Sequence, residues 1–144
     1  MKQIINNVGD FLSAAWNGNY RTKKGWVSYG SKRYYVKSGW ENNYFWYMVW
    51  LRKNKHIADF EYEPDIFWFE GIRRGVTNYK PDFKIFNNDG SIEYHEVKGY
   101  MDSKSKTKIK RMAKYHPDVK LIVIDGAAYR ALAKQVGKLV KGWT

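Results

Sequence analysis

The 144-residue sequence contains no cysteine and no long apolar run. The missing cysteine excludes disulfides, thiolate metal sites and cysteine nucleophiles, and it fits a reducing compartment. The longest uninterrupted apolar run, residues 44–51, is too short to cross a bilayer. Near the N-terminus, Asn6, Asn7 and Asp10 interrupt any signal-peptide core. The sequence therefore predicts a soluble, cytoplasmic protein with no membrane partner.

Acidic residues are scarce and unevenly distributed. The chain has 26 Lys and Arg against 14 Asp and Glu, a formal net charge of +12. Residues 11–40 contain six bases and no acid, whereas residues 41–100 hold ten of the fourteen acids. An acidic island between basic flanks suggests a polyanionic partner with a cation site at its centre. Nucleic acid is the favoured partner; an acidic membrane surface, another polyanion, or a merely solvated basic surface are the alternatives.

The length and the apolar content fit one globular unit. Forty-four per cent of the residues are hydrophobic and 18% are aromatic, which argues against general disorder. We find no linker, internal repeat or low-complexity tract. The sequence therefore predicts one compact domain, with a basic N-terminal segment at residues 1–37 that carries an aromatic hairpin, and a core at residues 38–144.

Two helices and a hairpin are predicted in the first third of the chain. Residues 1–20 favour a short helix, and residues 26–36 favour a β-hairpin that turns at Gly30-Ser31. Ser38 is a helix N-cap, and Glu41, three residues later, completes a capping box. The helix that follows, to about residue 53, is apolar nearly all round and should be largely buried.

The rest of the chain predicts a mixed sheet. Three strand-like segments occupy residues 57–69, 76–86 and 91–98, with Pro64 and Pro81 inside the first two and a turn at 87–90 before the third. A basic helix, a strand and a last helix follow at residues 103–115, 119–124 and 127–140. An antiparallel meander followed by a strand–helix–strand unit predicts an α/β (α+β) fold, with helices flanking a mixed central sheet.

Asp82, Glu96 and Lys98 form the sharpest chemical pattern in the sequence. Positions i and i+2 of a strand face the same side, so Glu96 and Lys98 project together. The turn at 87–90 folds the two strands together, and we expect Asp82 to lie beside Glu96. Two clustered carboxylates suit Mg²⁺, and a nearby lysine would orient water or stabilise charge on a phosphate. The alternative is a turn aspartate and a surface ion pair contributing about 0–1 kcal/mol.

Four short segments in fixed order resemble the PD-(D/E)xK nuclease superfamily, and more narrowly the phage endonuclease I family of Holliday-junction resolvases. They are Ser38-Gly39-Trp40-Glu41, Phe60-Glu61-Tyr62-Glu63, Tyr79-Lys80-Pro81-Asp82-Phe83 and Glu96-Val97-Lys98-Gly99. The resemblance implies a restriction-endonuclease-like core in the order α-β-β-β-α-β. The N-terminal hairpin before Ser38 looks more like that of other phage and transposase nucleases in the superfamily. The spacing between Asp82 and Glu96 is a few residues longer than in that narrower family.

The resemblance also implies a role for each matching residue. Asp82, Glu96, the Val97 carbonyl and Glu41 would bind Mg²⁺; Mn²⁺ would substitute, and Ca²⁺ would bind without turnover. Lys98 would be the catalytic lysine, working with Glu41, Asp82 and Glu96. For Glu41 the alternative is a purely capping role. A further acid, Glu61, is either an accessory group or, more simply, a solvent-facing strand residue.

The function that follows is a Mg²⁺-dependent endodeoxyribonuclease that cuts branched DNA. The resemblance implies a homodimer intertwined through about residues 60–80, and a host-cytoplasm location if the protein is phage-encoded. Three alternatives remain. One is another nuclease of the same superfamily that acts on linear or site-specific DNA. The second is a non-catalytic nucleic-acid-binding module with a decayed site. The third is a structural or scaffold protein, which only the basic charge supports.

Two sets of residues are candidates for contact with DNA. Cations on the predicted helix at 103–115 would reach phosphates beside the scissile bond and set the affinity and its salt dependence. In the hairpin, aromatic side chains would either stack on unpaired bases or simply pack the hairpin. The cations are Lys104, Lys106, Lys108, Lys110 and Arg111 on the helix, with Lys32 and Arg33 on the hairpin; the aromatic residues are Trp26, Tyr29, Tyr34 and Tyr35.

Overall fold

A computed structural model describes residues 24–140 and 143. The helix predicted over residues 1–20 lies outside the described residues. The described part contains three helices and eight short strands. In chain order they are β1 (Gly25–Tyr29), β2 (Lys32–Val36), α1 (Gly39–Lys53), β3 (Asp59–Tyr62), β4 (Phe67–Trp68), β5 (Asn78–Tyr79), β6 (Phe83–Phe86), β7 (Ile92–Val97), α2 (Ser103–Tyr115), β8 (Leu121–Ile124) and α3 (Gly126–Val136).

The central sheet has four strands in the order β3-β6-β7-β8. The first three pair antiparallel, and β7 pairs parallel with β8, with Tyr94 opposite Leu121. Helix α2 makes the crossover between the two parallel strands, as a parallel pair requires. The predicted mixed sheet, made of a meander followed by a strand–helix–strand unit, is therefore confirmed, and the described fold is α+β.

The predicted strands at 57–69 and 76–86 were wrong in extent. Each is broken in two, and the inner pieces, β4 and β5, pair with each other as a separate two-stranded ribbon. The first break falls at Glu63, which has φ of 49°, followed by Pro64. The second falls at Pro81, just before β6. Proline removes a ladder donor, and a left-handed residue turns the chain out of the sheet.

One face of the sheet packs on the larger hydrophobic core. Helix α1 is buried from Glu41 to Leu51, because it lies between this face, the β1–β2 hairpin and α3. Val27 and Val36 of the hairpin join the same cluster as Phe83 and Val97 of the sheet. The hairpin and the sheet therefore share one core in the described part of the chain.

The opposite face of the sheet carries a smaller core. Residues an odd number apart on a strand face opposite sides, so Tyr94 faces away from Val97. Tyr94 packs edge-on against Phe67 of the ribbon, with ring centroids 5.1 Å apart. Beneath the ribbon, Phe69 and Tyr79 pack on Met112 of α2. The ribbon and α2 thus cover the side of the sheet that α1 leaves free.

None of the helices in the described part of the chain has the length and apolar character needed to span a bilayer.

Candidate functional site

Five chain segments meet at one end of the central sheet. Helix α1 begins there, β3 ends there, and β6 begins there, while β7 and β8 end there. Because β3 and β7 both run antiparallel to β6, the C-terminal ends of β3 and β7 lie beside the N-terminal end of β6. This connectivity brings acidic side chains from four segments to the same end of the sheet.

The carboxylates of Asp82 and Glu96 each accept a hydrogen bond from a backbone N–H of the other strand segment. The backbone N–H of Val97 donates to Oδ2 of Asp82 at 2.8 Å. The backbone N–H of Asp82 donates to Oε1 of Glu96 at 3.2 Å. Each carboxylate is therefore oriented by the backbone of the neighbouring strand, and the structure brings the two acids together.

The two carboxylates are destabilised in their charged forms. Asp82 is 5% exposed, and burial, followed by the charges of Glu96 and Glu41, raises its pKa well above the usual range. Burial also raises the pKa of Glu96, and the charge of Glu41 adds to this effect. Like charges held together away from water repel each other, so a cation placed between them would be stabilised.

Glu41 takes part both in the N-cap of α1, through its backbone N–H, and in this cluster, through its side chain. Its backbone N–H donates to Oγ of Ser38 at 3.1 Å, which is the expected N-cap bond. Its side chain does not return to Ser38; Oε2 instead accepts from the Tyr62 hydroxyl at 2.6 Å and from the Lys37 backbone N–H at 3.4 Å. The capping and site interpretations of Glu41 are therefore compatible.

Glu63 is an acid of this cluster to which sequence reasoning assigned no role. Its charge contributes to the raised pKa of Asp82, and its side chain is only 11% exposed. Oε2 of Glu63 lies 2.8 Å from Nζ of Lys37 and 3.5 Å from Nζ of Lys80. The sequence signal was present, because the chain reads Glu61-Tyr62-Glu63. The left-handed turn at Glu63 decided which of the two acids faces the cluster; Glu61 is exposed.

Tyr79 and Lys108 border the cluster on the side of α2. The Tyr79 ring is buried and its hydroxyl lies beside Glu96, where it lowers the pKa of that carboxyl without meeting the geometry of a hydrogen bond. Nζ of Lys108 lies 5.9 Å from the centroid of the same ring, and its charge also lowers the pKa of Glu96. Lys108 is therefore the helix cation that faces the acids, and Tyr79 was not singled out from the sequence.

Lys98 and Val97 extend β7 at the edge of the site. The Lys98 backbone N–H donates to the Ile124 carbonyl at 3.0 Å, which continues the parallel ladder by one residue. The Lys98 side chain is half-buried. The pKa of Asp102 is lowered mainly by its hydrogen bonds with Ser105, and the charge of Lys98 adds to this effect. Among the described residues, no hydrogen bond or ion pair joins Lys98 to Asp82 or Glu96. Val97 buries its side chain in the core and offers only backbone groups to the site.

The other predicted DNA-binding residues are of two kinds: cations exposed to solvent, and one cation that is hydrogen-bonded within the protein. Most of them are exposed, namely Lys104, Lys106, Lys110, Lys32 and Arg33. Arg111 is half-buried, and its guanidinium donates to the Val76 carbonyl. Arg111 therefore fastens the segment before β5 to α2, and it is less free to bind phosphate than its lysine neighbours.

The acid cluster offers the hard oxygen donors that Mg²⁺ requires, but not a complete cage. The described residues hold no group of three or more His, Asp or Glu arranged to bind a metal by themselves. Mg²⁺ is usually bound by one or two carboxylates, together with water and substrate phosphate. Asp82 and Glu96, with Glu41 within electrostatic reach, fit that mode of binding. The donor set is therefore suited to Mg²⁺ shared with a phosphate-containing substrate.

Comparison with protein families gives one match over most of the chain. A family described as "Protein of unknown function (DUF1064)" matches residues 18–131. No curated protein and no solved structure matches the chain.

Proposed function

We propose that this chain, which belongs to the DUF1064 family, is a metal-dependent DNA endonuclease with a PD-(D/E)xK-type site. The observation that carries the proposal is the placement of the buried Asp82 carboxylate beside the half-buried Glu96 carboxylate, each oriented by a backbone hydrogen bond from the neighbouring strand segment. Two acids placed together with little access to water are unfavourable in a purely structural role, because each charge raises the free energy of the other. A bound divalent cation would remove that repulsion.

Each residue of the cluster has a role in the proposal. Asp82 and Glu96 hold the cation, and Glu41, positioned by Tyr62, adds a third negative charge. Bound Mg²⁺ would supply an activated water nucleophile and offset the charge that develops on the phosphate. Lys98 lies two residues after Glu96, on the same side of the strand, and it orients the water or neutralises charge on the scissile phosphate.

The arrangement of elements supports a restriction-endonuclease-like core for this site. Leaving out the β4–β5 ribbon, the chain order from α1 to β8 is α-β-β-β-α-β, and the four strands form one sheet. The proposed ligands lie before the second and at the end of the third of those strands. This is the arrangement that the resemblance in the sequence implies.

The substrate is DNA, because cations cluster next to the acids. Helix α2 starts five residues after Lys98 and presents exposed Lys104, Lys106 and Lys110. Its Lys108 faces Glu96, within reach of a phosphate bound at the cation. Cations of this kind set the affinity for the backbone and its salt dependence. The formal charge of +12 fits a polyanionic substrate.

The proposed substrate is branched DNA, and the proposed active form of the protein is a homodimer. The four sequence segments that resemble junction resolvases include all of Glu41, Asp82, Glu96 and Lys98. Two such sites in a dimer would cut two strands of a four-way junction symmetrically.

The decisive experiment is cleavage of a labelled four-way junction beside a linear duplex of matched sequence. We expect Mg²⁺ or Mn²⁺ to support junction cutting and Ca²⁺ to support binding alone. Asp82→Ala and Lys98→Ala should lower the rate by at least about 100-fold, because metal-assisted charge stabilisation supplies several kcal/mol. Both variants should still bind the junction. Glu61→Gln, an exposed acid on β3 outside the cluster, is the matched control.

Each outcome decides between the candidate functions. Equal cutting of junction and linear duplex would retain the nuclease and reject the junction preference. Binding without cutting in Mg²⁺ and in Mn²⁺ would reject the nuclease in favour of a non-catalytic module. Full activity in Asp82→Ala or Lys98→Ala would remove that residue from the site.

A further inference from the structure

The β1–β2 hairpin has two chemically different faces. Its inner face packs on α1 and the sheet: Val27 and Val36 are fully buried, and the Tyr34 ring lies 5.1 Å from that of Phe45. Its outer face carries Trp26, which is 55% exposed, and Tyr35, which is 45% exposed. The period of two along each strand assigns these pairs to opposite sides. Packing therefore explains the inner aromatic residues and leaves the outer ones unexplained.

The outer aromatic residues form an organised group. Trp26 and Tyr35 are cross-strand partners, and their ring centroids lie 5.3 Å apart with an interplanar angle of 75°. Arg33, two residues before Tyr35 on the same side of β2, places its guanidinium 4.7 Å from the centroid of the Trp26 ring. Single exposed apolar residues are ordinary on a protein surface, but two large rings packed edge to face, with a guanidinium over one of them, form an organised group that we call the aromatic platform.

The charge around this platform identifies its partner. Residues 24–40 contain no acid, and Lys24, Lys32, Arg33 and Lys37 are all exposed. A second copy of this chain would bring the same positive charge against the platform, which disfavours self-association there. A polyanion is attracted to it. Aromatic rings flanked by cations are the arrangement that binds single-stranded nucleic acid, through stacking on bases and ion pairing with phosphates.

The platform is also connected to the acid cluster. Lys37 follows β2 directly, on the same side of the chain as Tyr35 and Arg33. Its Nζ donates to Glu63 at 2.8 Å. A strand lying along the hairpin would therefore be led by Lys37 to the end of the sheet where Asp82 and Glu96 lie.

We propose that the outer face of the hairpin binds unpaired nucleotides: Trp26 and Tyr35 stack on exposed bases while Arg33 and Lys24 contact the neighbouring phosphates. Bases in an intact duplex are stacked inside the helix, so the platform selects single-stranded segments or the open positions of a branch point. This inference deepens the proposed nuclease function and rests on it for the fate of the bound strand. The binding itself is independent of cleavage.

The test measures binding without metal. Fluorescence anisotropy in EDTA compares a labelled oligothymidine with an abasic backbone of the same length, which keeps the phosphates and removes the bases. We expect the wild type to bind the oligothymidine more tightly. Trp26→Ala with Tyr35→Ala should weaken oligothymidine binding by about 5- to 100-fold, the effect of losing one or two stacked bases. Binding of the abasic backbone and the salt dependence should hardly change, because no cation is removed.

Two controls separate stacking from folding. Trp68→Ala removes a tryptophan that is 62% exposed on β4, away from the hairpin, and it should leave binding unchanged. Trp26→Tyr with Tyr35→Phe keeps stacking rings and should restore most of the affinity. Thermal unfolding of every variant shows whether the hairpin remains packed.

The inference is overturned if the double alanine variant binds oligothymidine like the wild type, or if it loses both ligands equally. It is also overturned if Trp68→Ala has the same effect, or if the double variant changes only the oligomeric state. Failure of the nuclease would look different. In that case, Mg²⁺ would produce no cleavage of any DNA, while the preference for oligothymidine over the abasic backbone would remain.

Discussion

The backbone N–H of Asp82 donates to the Glu96 carboxylate, while the Asp82 carboxylate accepts from the N–H of Val97, the next residue after Glu96. This exchange orients two acids that repel each other. Substituting either acid therefore has two separable consequences. It relieves a repulsion in the protein without metal, and it removes a ligand from the proposed cation site.

Asp82→Asn should stabilise the metal-free protein at neutral pH. The oxygen of a neutral amide still accepts the Val97 N–H, and the backbone bond from residue 82 to Glu96 is kept, while the carboxylate that burial disfavours in its charged form is removed. Each pKa unit is worth about 1.4 kcal/mol, so we expect the free energy of unfolding to rise by more than about 1 kcal/mol. Urea unfolding in EDTA measures it. A loss of stability at pH 7 would contradict the electrostatic origin of the effect.

The stabilisation by Asp82→Asn should grow with pH. The raised pKa means that folded Asp82 binds its proton more tightly than the unfolded chain does, where the ordinary value is 3.8. Its protonated form contributes stability that is fully present below that value and is lost as pH rises through the folded-state pKa. The difference between variant and wild type should therefore be small near pH 4 and largest above the folded-state pKa. A pH-independent difference would point to packing instead.

A divalent cation should reverse the order of stability. Mg²⁺ or Ca²⁺ that binds only the folded protein stabilises it by about 2.7 kcal/mol at a hundred times its Kd. The melting temperature of the wild type should rise with cation concentration, whereas Asp82→Asn and Glu96→Gln should show little rise. Glu61→Gln should behave like the wild type, because Glu61 is exposed on β3. An equal rise in all four proteins would place the bound cation elsewhere.

Ser38→Ala and Glu41→Gln should separate helix capping from the site. Ser38→Ala removes the acceptor for the Glu41 N–H, at a cost of about 0.5–2 kcal/mol in unfolding free energy. It leaves the bond between Tyr62 and the Glu41 carboxylate, so cation-dependent stabilisation should persist. Glu41→Gln keeps the cap and should weaken that stabilisation. The reverse pattern would restrict Glu41 to capping.

Lys104→Gln and Lys108→Gln should each flatten the salt dependence of duplex binding. Losing one phosphate contact lowers the magnitude of the slope by about 0.9. Lys134→Gln, an exposed lysine on α3, is the matched control. Arg111 is a poor choice for this test, because its guanidinium also fastens the segment before β5 through the Val76 carbonyl. An unchanged slope in both α2 variants would show that this face of the helix is only solvated surface.

Local sequence patterns predicted the helices and turns that depend only on neighbouring residues. The helix at 103–115, the capped helix after Ser38 and the turn closed by Gly90 lie where the pattern placed them. Capping, periodicity and turn chemistry act over a few residues, so they can be read from the chain directly. The breaks at Glu63 and Pro81 were harder to place, because proline within a strand pattern is compatible with a bulge, an edge or a complete break.

The sequence by itself determined which two acids lie together: a short turn between two strands brings Asp82 close to Glu96, since neighbouring antiparallel strands must lie side by side. Only the tertiary structure decided which other groups join them. Glu63 rather than Glu61 enters the cluster because a left-handed residue redirects the chain. Lys108 faces Glu96, and Tyr79 comes to lie under it, because α2 and the ribbon pack on the same face of the sheet. Those contacts join segments far apart in the chain, where no local pattern can specify them.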